Sequence, residues 1–407
     1  MTTIMSLVGM MMLLGVAFAC STNRSAINKR TVGVAFLLQV LIGGFVLFIE
    51  AGKNVLASMS SAVAKVISYA NDGIGFLFGP LAKQDSLGFI FAIQVLPVIV
   101  FFSALVAVLY HLGIMNWIIK ILGGGLQKLL QTSRPESLSA TANIFVGQTE
   151  APLIVKPFIP KMTQSELFAV MVGGLATVAG SVMAGYVAIG VELKYLIAAS
   201  FMAAPGGFLM AKMIVPETEK PHENLSDVDS GDDKPVNVID AAASGASSGM
   251  HLALNVGAML LAFVALIALL NGLLGSIGGI FDYPTLTLQE ILGYVFAPVA
   301  WLLGVPWSEA VTAGSFIGQK LVVNEFVAYL DYMNYRDTLS THTQAIVTFA
   351  LCGFANLSSI AILLGGLGGM APSRRKDIAR LGLRAVLAGS MANLMSAAIA
   401  GFFLSLA

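Results

Sequence analysis

The sequence predicts an all-α integral membrane protein with eight transmembrane helices, two re-entrant helical hairpins in inverted repeats, and one interfacial helix. The first observation is composition: 57% of the 407 residues are hydrophobic and 11% are charged, against about 25% charged in soluble domains. The second is a set of charge-free apolar stretches. The third is a repeated pattern in which a short interrupted apolar segment carries a carboxylate and precedes a long segment broken by small or amide-bearing residues.

The charge-free stretches predict the spans. A helix needs about 20 apolar residues to cross about 30 Å of hydrocarbon. The first stretch has no preceding Lys or Arg, so we interpret it as a retained span rather than a signal peptide. The predicted spans are residues 4–23, 31–49, 88–110, 167–191, 195–211, 250–279, 344–373 and 385–407.

Four further apolar stretches are not expected to span. Residues 55–81 contain Lys65 and Asp72, which is typical of an amphipathic helix along the interface. Residues 291–305 are too short and are expected to cap one face. Residues 137–160 and 308–330 contain acids and lysines. We predict that both are re-entrant hairpins, which are tolerated where they pack against protein or line a wet cavity.

Orientation follows from the distribution of Lys and Arg. If both termini lie on the external side of the membrane, sixteen of these residues face the cytoplasm. The hairpins then enter from opposite sides, which is the inverted topology of secondary transporters. The six residues expected on the outer side are Lys53, Lys65, Lys83, Lys194, Lys320 and Arg336.

The predicted organisation has seven parts along the chain. Residues 1–49 hold two spans, 50–86 the interfacial helix, and 87–136 a scaffold span and cytoplasmic connection. Residues 137–214 form repeat 1, 215–249 an acidic cytoplasmic linker, 250–306 a scaffold span and external cap, and 307–407 repeat 2.

Two carboxylates mark the repeated segments. A charge at membrane depth costs at least about 2.5 kcal/mol, so Glu150 and Glu325 indicate a functional site. Gln148 and Thr149 precede the first, and Asn324 precedes the second. These side chains suit an uncharged polar ligand, since a carboxylate accepts strong hydrogen bonds from the vicinal hydroxyls of a sugar.

The long segments that follow carry further polar groups. Asn356 is an amide in mid-membrane and needs partners, which an unwound helix and a ligand would supply. Asn143 and Thr177 fall at the break of the first repeat, where amide, hydroxyl and carbonyl oxygens suit Na⁺. A proton-coupled carboxylate is the alternative.

Other function classes lack their motifs. No P-loop, nucleophile elbow or zinc motif occurs in the sequence, so we expect no ATP hydrolysis, no enzyme activity and no cofactor beyond a coupling ion. Net charge is zero and there is no basic block. We therefore expect no nucleic-acid partner.

Three motifs resemble those of bacterial concentrative nucleoside transporters of the sodium-coupled type. They are Gly147-Gln148-Thr149-Glu150-Ala151-Pro152, Asn324-Glu325-Phe326-Val327-Ala328-Tyr329 and Gly353-Phe354-Ala355-Asn356-Leu357-Ser358-Ser359-Ile360. The resemblance covers nearly the whole chain. It implies a homotrimer, held by a scaffold around the third and sixth spans, in which a transport domain moves as an elevator.

The resemblance also implies site residues. In that family the first hairpin reads the nucleobase, and the second hairpin with its following helix holds the ribose. The implied nucleobase contacts are Gly147, Gln148, Thr149 and Glu150, with Val182 beneath the base. The implied ribose contacts are Glu325, Asn356 and Ser359, with Phe354 and Leu252 packing against the nucleoside. The implied sodium ligands are the Asn143 side chain, the Val146 carbonyl, the Thr177 hydroxyl and the Val178 carbonyl.

These observations together predict a sodium-coupled nucleoside symporter with an elevator mechanism, with pyrimidine nucleosides such as uridine as its substrates. Gln and Thr side chains suit either a purine or a pyrimidine edge, so the base preference stays open. A proton-coupled symporter, a passive nucleoside channel, and an intramembrane enzyme using Glu150 and Glu325 as an acid–base pair are the alternatives.

Overall fold

The computed structural model describes residues 2–82, 88–221 and 235–406. These residues form α-helices and short 3₁₀ helices, with no β-strand among them. The α-helices are α1 Thr2–Ala19, α2 Lys29–Leu47, α3 Glu50–Ser68, α4 Ala70–Phe78, α5 Phe91–Gln94, α6 Leu96–His111, α7 Ile114–Leu130, α8 Arg134–Ala142, α9 Gln164–Ala176, α10 Gly180–Ala188, α11 Leu193–Ile214, α12 Val238–Gly279, α13 Leu288–Leu302, α14 Trp307–Val322, α15 Glu325–Tyr335, α16 Thr341–Leu351, α17 Ser359–Met370 and α18 Arg375–Leu404. A 3₁₀ helix, Ala151–Lys161, lies between α8 and α9.

Side-chain caps fix where several of these helices begin. Glu166 accepts from the backbone N–H of Thr163 at 2.8 Å, and the Thr163 hydroxyl accepts from the N–H of Glu166 at 3.0 Å. This capping box satisfies donors that the first turn of α9 leaves free. Asn324 similarly accepts from the N–H of Val327 at the start of α15.

Seven helices or helix pairs in the described chain are long and apolar enough to cross a membrane. The predicted span of residues 344–373 is divided into α16 and α17 by a non-helical segment that contains Asn356, where the sequence indicated an unwound helix. Residues 167–191 are likewise interrupted, between α9 and α10. Helices α13 and α14 together would make an eighth apolar span, but they meet at a bend of 115°.

Two predicted boundaries also differ. Helix α12 begins at Val238 and runs for 42 residues, so residues 238–249 are helix rather than linker; the Asn237 side chain caps it by accepting from the N–H of Asp240. Residues 222–234 of the predicted linker lie outside the described residues. The described part of the predicted interfacial segment forms two helices, α3 and α4, which divide at Tyr69, and residues 83–86 of that segment lie outside the described residues.

Burial separates two groups of helices. In α9–α10 and in α11, 94% of the most apolar stretch is buried, against 17% in both α5–α6 and α12. Helices α6 and α12 pack against each other and leave apolar faces outward, as expected where lipid or another subunit covers them.

The order of elements repeats. The first set is α8, the 3₁₀ helix Ala151–Lys161, α9, α10 and α11, and the second is α14, α15, α16, α17 and α18. In each set a short helical pair precedes a broken helix and then a long continuous one. Helix α18 of the second set packs against α9 and α11 of the first, so the two sets share one core.

Candidate functional site

Four non-helical segments interrupt the two sets of helices. We call residues 143–150, which follow α8, the first loop, and residues 177–179, between α9 and α10, the first break. Residues 323–324, between α14 and α15, form the second loop, and residues 352–358, between α16 and α17, form the second break.

Glycines allow the first loop to lie directly against the broken helix. A Cβ on Gly174 would lie 2.8 Å from Cβ of Gln148 and 3.1 Å from its Cα. The N–H of Gly180 donates to the Phe145 carbonyl at 3.0 Å, and a Cβ on Gly180 would lie 2.9 Å from that oxygen. Helix α10 therefore begins in direct contact with the first loop.

Several oxygen atoms at the first loop and the first break have unused acceptor capacity. Asn143 is fully buried and its Nδ2 donates to the Ser139 carbonyl at 3.0 Å, while Oδ1 has no hydrogen-bond partner among the described residues. The buried Thr177 hydroxyl donates to the Gly173 carbonyl at 3.0 Å and keeps lone pairs free. No described residue donates a hydrogen bond to the carbonyls of Val146 or Val178.

This donor set fits a hard cation. A buried oxygen without a partner costs about 1–3 kcal/mol, and a bound cation would remove that cost at Asn143. Amide, hydroxyl and carbonyl oxygens without a nitrogen or sulfur ligand are the set that alkali and alkaline-earth ions prefer.

At the second loop a carboxylate is held by donors from both sets of helices. Glu325 is the first residue of α15 and is 6% exposed. The Tyr186 hydroxyl on α10 donates to its Oε1 at 3.0 Å, and Nδ2 of Asn356 in the second break donates to its Oε2 at 3.0 Å. The two donors and Glu325 are far apart in sequence, and only the tertiary fold brings them together.

The second break is held together by the other end of the Asn356 amide. Its Oδ1 accepts from the Ser358 hydroxyl at 2.7 Å, from the Ser359 N–H at 2.9 Å and from the Ser359 hydroxyl at 3.0 Å. These bonds replace helical ones where the backbone unwinds, as an amide in the membrane requires.

One cavity collects the residues predicted to bind substrate. It has a volume of about 120 Å³ and is lined by residues of both loops and both breaks. Glu150 and Glu325 both line it. The predicted residues that line it are Gly147, Gln148, Thr149, Glu150, Val182, Leu252, Glu325, Phe354, Asn356 and Ser359.

A second, larger cavity adjoins the first. It offers about 600 Å³ and shares Gly147, Glu150 and Leu252 with the smaller one. It extends away from Glu325 towards Tyr110 at the end of α6 and Ser244 near the start of α12. The two cavities are therefore neighbours at the Glu150 end of the smaller one.

Comparison with known proteins decides the family. Residues 195–401 match the family described as the C-terminus of Na⁺ dependent nucleoside transporters, residues 8–81 match the N-terminal part, and residues 92–192 match the "Gate" nucleoside recognition family. The chain belongs to the Na⁺ dependent (concentrative) nucleoside transporter family. It is therefore a multi-pass membrane transporter of nucleosides and not an enzyme.

Individual relatives agree with this assignment. An uncharacterized transporter of Haemophilus influenzae is 58% identical over 100% of this chain and 99% of its own. The nucleoside permease NupC of Helicobacter pylori is 51% identical over 100% of this chain and 99% of its own. The solved structure of CNTnw in an inward-facing substrate-bound state is 58% identical, covers 100% of this chain and 99% of its own, and superposes with a TM-score of 0.96.

Sequence reasoning missed three side chains of this nucleoside transporter. Tyr186 gave no signal, because an aromatic residue in an apolar span is ordinary. Lys320 was counted as a solvent-exposed loop residue in the orientation argument, but it is 2% exposed. Asn393 is a buried amide within an apolar helix, and the reasoning that singled out Asn356 would have found it.

Proposed function

We propose that the protein is a sodium-coupled symporter that imports nucleosides, with uridine as a representative substrate, by an elevator mechanism. The observation that carries the proposal is the convergence of donors on Glu325 from both sets of helices, beside a cavity that the first loop also lines. Such a site is complete only when both sets of helices are packed together.

The ribose would bind at Glu325. A carboxylate has about four acceptor positions, and Tyr186 and Asn356 use two of them. At most two remain, which suits the two vicinal hydroxyls of a ribose. Charge-assisted bonds of this kind are about twice as strong as neutral ones, so the sugar would supply much of the affinity.

The base would bind between the first loop and an apolar wall. Gln148 has a buried Oε1 with no hydrogen-bond partner among the described residues, and it would accept from the edge of the base. Thr149 and Glu150 lie beside it, while Val182, Leu252 and Phe354 offer apolar surface to the flat ring.

Sodium would couple to the nucleoside through the first loop and the first break. With Asn143, Val146, Thr177 and Val178 as its ligands, the ion would order both segments. Since Gln148 belongs to the same loop, ordering it would raise nucleoside affinity. Linkage requires that the nucleoside raise sodium affinity by the same factor, and symport depends on that factor.

The elevator assignment rests on the two groups of helices. The deeply buried α9, α10 and α11 with α14–α18 would form the moving body, and the two loops would be re-entrant hairpins of inverted orientation. Helices α6 and α12, which leave apolar faces outward, would form a fixed scaffold and the interface of a homotrimer in the bacterial inner membrane. The larger cavity at Tyr110 and Ser244 would then be the cytoplasmic exit.

Uptake by proteoliposomes tests this proposal. We expect uridine to accumulate above its external concentration with an inward sodium gradient, and not when choline replaces sodium at any pH. Accumulation in choline driven by an inward proton gradient would instead support proton coupling. Equilibration without accumulation would support a passive channel and contradict the proposal, and vesicles with Glu325→Ala protein serve as the matched control.

A further inference from the structure

Asn393 lies in the middle of α18, where its side chain meets three other segments. It is 2% exposed. Its Nδ2 donates to the carbonyl of Ala176 at 2.6 Å and to the carbonyl of Cys352 at 2.8 Å, and its Oδ1 accepts from the Lys320 ammonium at 2.7 Å. Both amide protons and the amide oxygen are therefore engaged.

The two carbonyls mark the two breaks. Ala176 is the last residue of α9 and precedes Thr177 of the predicted sodium set, while Cys352 opens the second break, which holds Phe354 and Asn356. The Asn393 amide thus joins the residue before the first break to the first residue of the second break. The N–H of Phe354 also donates directly to the Thr177 carbonyl at 3.2 Å.

Two glycines make this approach possible. A Cβ on Gly353 would lie 2.3 Å from Oδ1 of Asn393 and 2.7 Å from its Nδ2. A Cβ on Gly389, one turn earlier in α18, would lie 2.9 Å from Cβ of Leu175 and 3.2 Å from Cβ of Ala355. Side chains at these positions would force α18 away from both breaks.

Lys320 fixes the direction of the amide. Its ammonium donates to the Ala350 carbonyl at 2.7 Å as well as to Asn393, and no carboxylate of a described residue lies within ion-pair distance. Ala350 belongs to the last turn of α16, where the helix dipole favours a cation. Because an ammonium only donates, Oδ1 must face it, and the amide protons then face the two carbonyls.

We infer that Asn393, oriented by Lys320, is the positioning residue that transmits sodium binding at the first break to nucleoside binding at the second break. Asn393 touches neither the ion nor the substrate. The inference rests on the proposed function, since it concerns how the two ligands of that symporter influence one another. A sodium ion at Thr177 and Val178 would fix the end of α9, and the shared amide would fix Cys352 and the residues that follow it.

The test is equilibrium uridine binding to the purified full-length protein in sodium and in choline, reported as the ratio of the two dissociation constants. Coupled sites commonly show ratios of about 5 to 150. Asn393→Asp keeps the volume and the Lys320 partner but loses both donated bonds, so we expect its ratio to fall by about fivefold or more, since only the bond from the Phe354 N–H to the Thr177 carbonyl then joins the two breaks directly. Asn393→Leu removes all three bonds and should do the same.

The control is Ser390→Ala on the same helix, whose hydroxyl donates only to the Val386 carbonyl of its own helix. It should keep the wild-type ratio. A thermal melt of each variant separates unfolding from uncoupling, and the near-isosteric Asn393→Asp decides the matter if Asn393→Leu does not fold.

A folded Asn393→Asp protein with the wild-type ratio would overturn the inference. A wild-type protein whose uridine binding ignores sodium would instead refute the proposed function, and the two failures are distinguishable.

Discussion

The first loop and first break differ from the second loop and second break in how their polar atoms are satisfied. In the first pair, the buried Oδ1 of Asn143 and Oε1 of Gln148 have no hydrogen-bond partner among the described residues. In the second pair, both oxygens of Glu325 accept a bond and Asn356 Oδ1 accepts three. The second pair is organised by the chain itself, whereas the first has acceptors that a ligand would complete.

This difference assigns different tasks to the two halves. A preorganised group binds with little ordering cost, so the half containing Glu325 suits the invariant part of a nucleoside, the ribose. In the first half, a bound cation would pair with acceptor oxygens that have no hydrogen-bond partner and would thereby order the loop and the break. We therefore expect substitutions at the ribose contacts of the second half to change substrate affinity, and those at the ion ligands of the first half to change sodium dependence. The first loop also contacts the base, so changes in its packing should affect uridine affinity as well.

The largest expected effect is that of Glu325→Ala. It removes the acceptor for the ribose and leaves Tyr186 and Asn356 without their shared partner. With charge-assisted bonds at about 1.5–3 kcal/mol each, loss of two should lower uridine uptake by about 100-fold or more. Uptake into vesicles measures this, and Asp337→Asn, at an exposed carboxylate just beyond the end of α15, is the control. Normal uptake by Glu325→Ala protein would refute the ribose assignment.

Thr177→Ala tests the proposed sodium site of the first half. Losing one hydroxyl ligand to a cation should raise the sodium concentration for half-maximal uridine binding by about tenfold or more, with little change in uridine affinity at saturating sodium. Thr177→Ser retains the hydroxyl and should resemble wild type. A sodium titration unchanged by the alanine variant would count against this ion site.

Gly174→Ala tests the packing of the first loop against α9. The added Cβ would lie within 3.1 Å of Gln148 Cα, and overpacking of this kind costs about 1–3 kcal/mol. We expect uridine affinity to fall by about fivefold, measured by binding at saturating sodium. Gly207→Ala places its Cβ no closer than 3.7 Å to any neighbour and should bind normally. Equal affinities for the two variants would show that the loop does not depend on this contact.

The smallest expected effect is that of Ser358→Ala. It removes one of three bonds to Asn356 Oδ1, and a net hydrogen bond contributes about 0.5–1.5 kcal/mol. Uridine affinity should fall by about threefold, with the sodium titration unchanged. Ser390→Ala again serves as the control. A larger change in sodium dependence than in uridine affinity would contradict the assignment of the second break to substrate binding.

Much of this site was predictable from the sequence. Glu150, Glu325 and Asn356 stood out because polar groups at membrane depth are costly, and the family resemblance supplied the other predicted substrate residues. The whole predicted substrate set lines one cavity. Its role in binding stays a prediction until the variants are measured.

Other features were not predictable, for physical reasons. Hydropathy reports composition and not continuity, so Asn356 indicated an unwound helix but the limits of the break at residues 352–358 could not be predicted. The small and polar residues after Val238 are compatible with either a helix or a linker. The start of α12 is fixed by the hydrogen bond that the Asn237 side chain accepts from the N–H of Asp240. Charge counting treats every Lys as solvated, which fails for Lys320, whose partners are carbonyl and amide oxygens.

Substrate discrimination is the most direct test of the central claim, that one half holds the ribose and the other reads the base. Binding of uridine, 2′- and 3′-deoxyuridine and a purine nucleoside should be compared in wild type, Glu325→Gln and Gln148→Ala protein at saturating sodium. We expect Glu325→Gln to lose discrimination between uridine and the deoxynucleosides while keeping its base preference, and Gln148→Ala to do the reverse. The same loss of sugar discrimination in both variants, or in neither, would contradict the account.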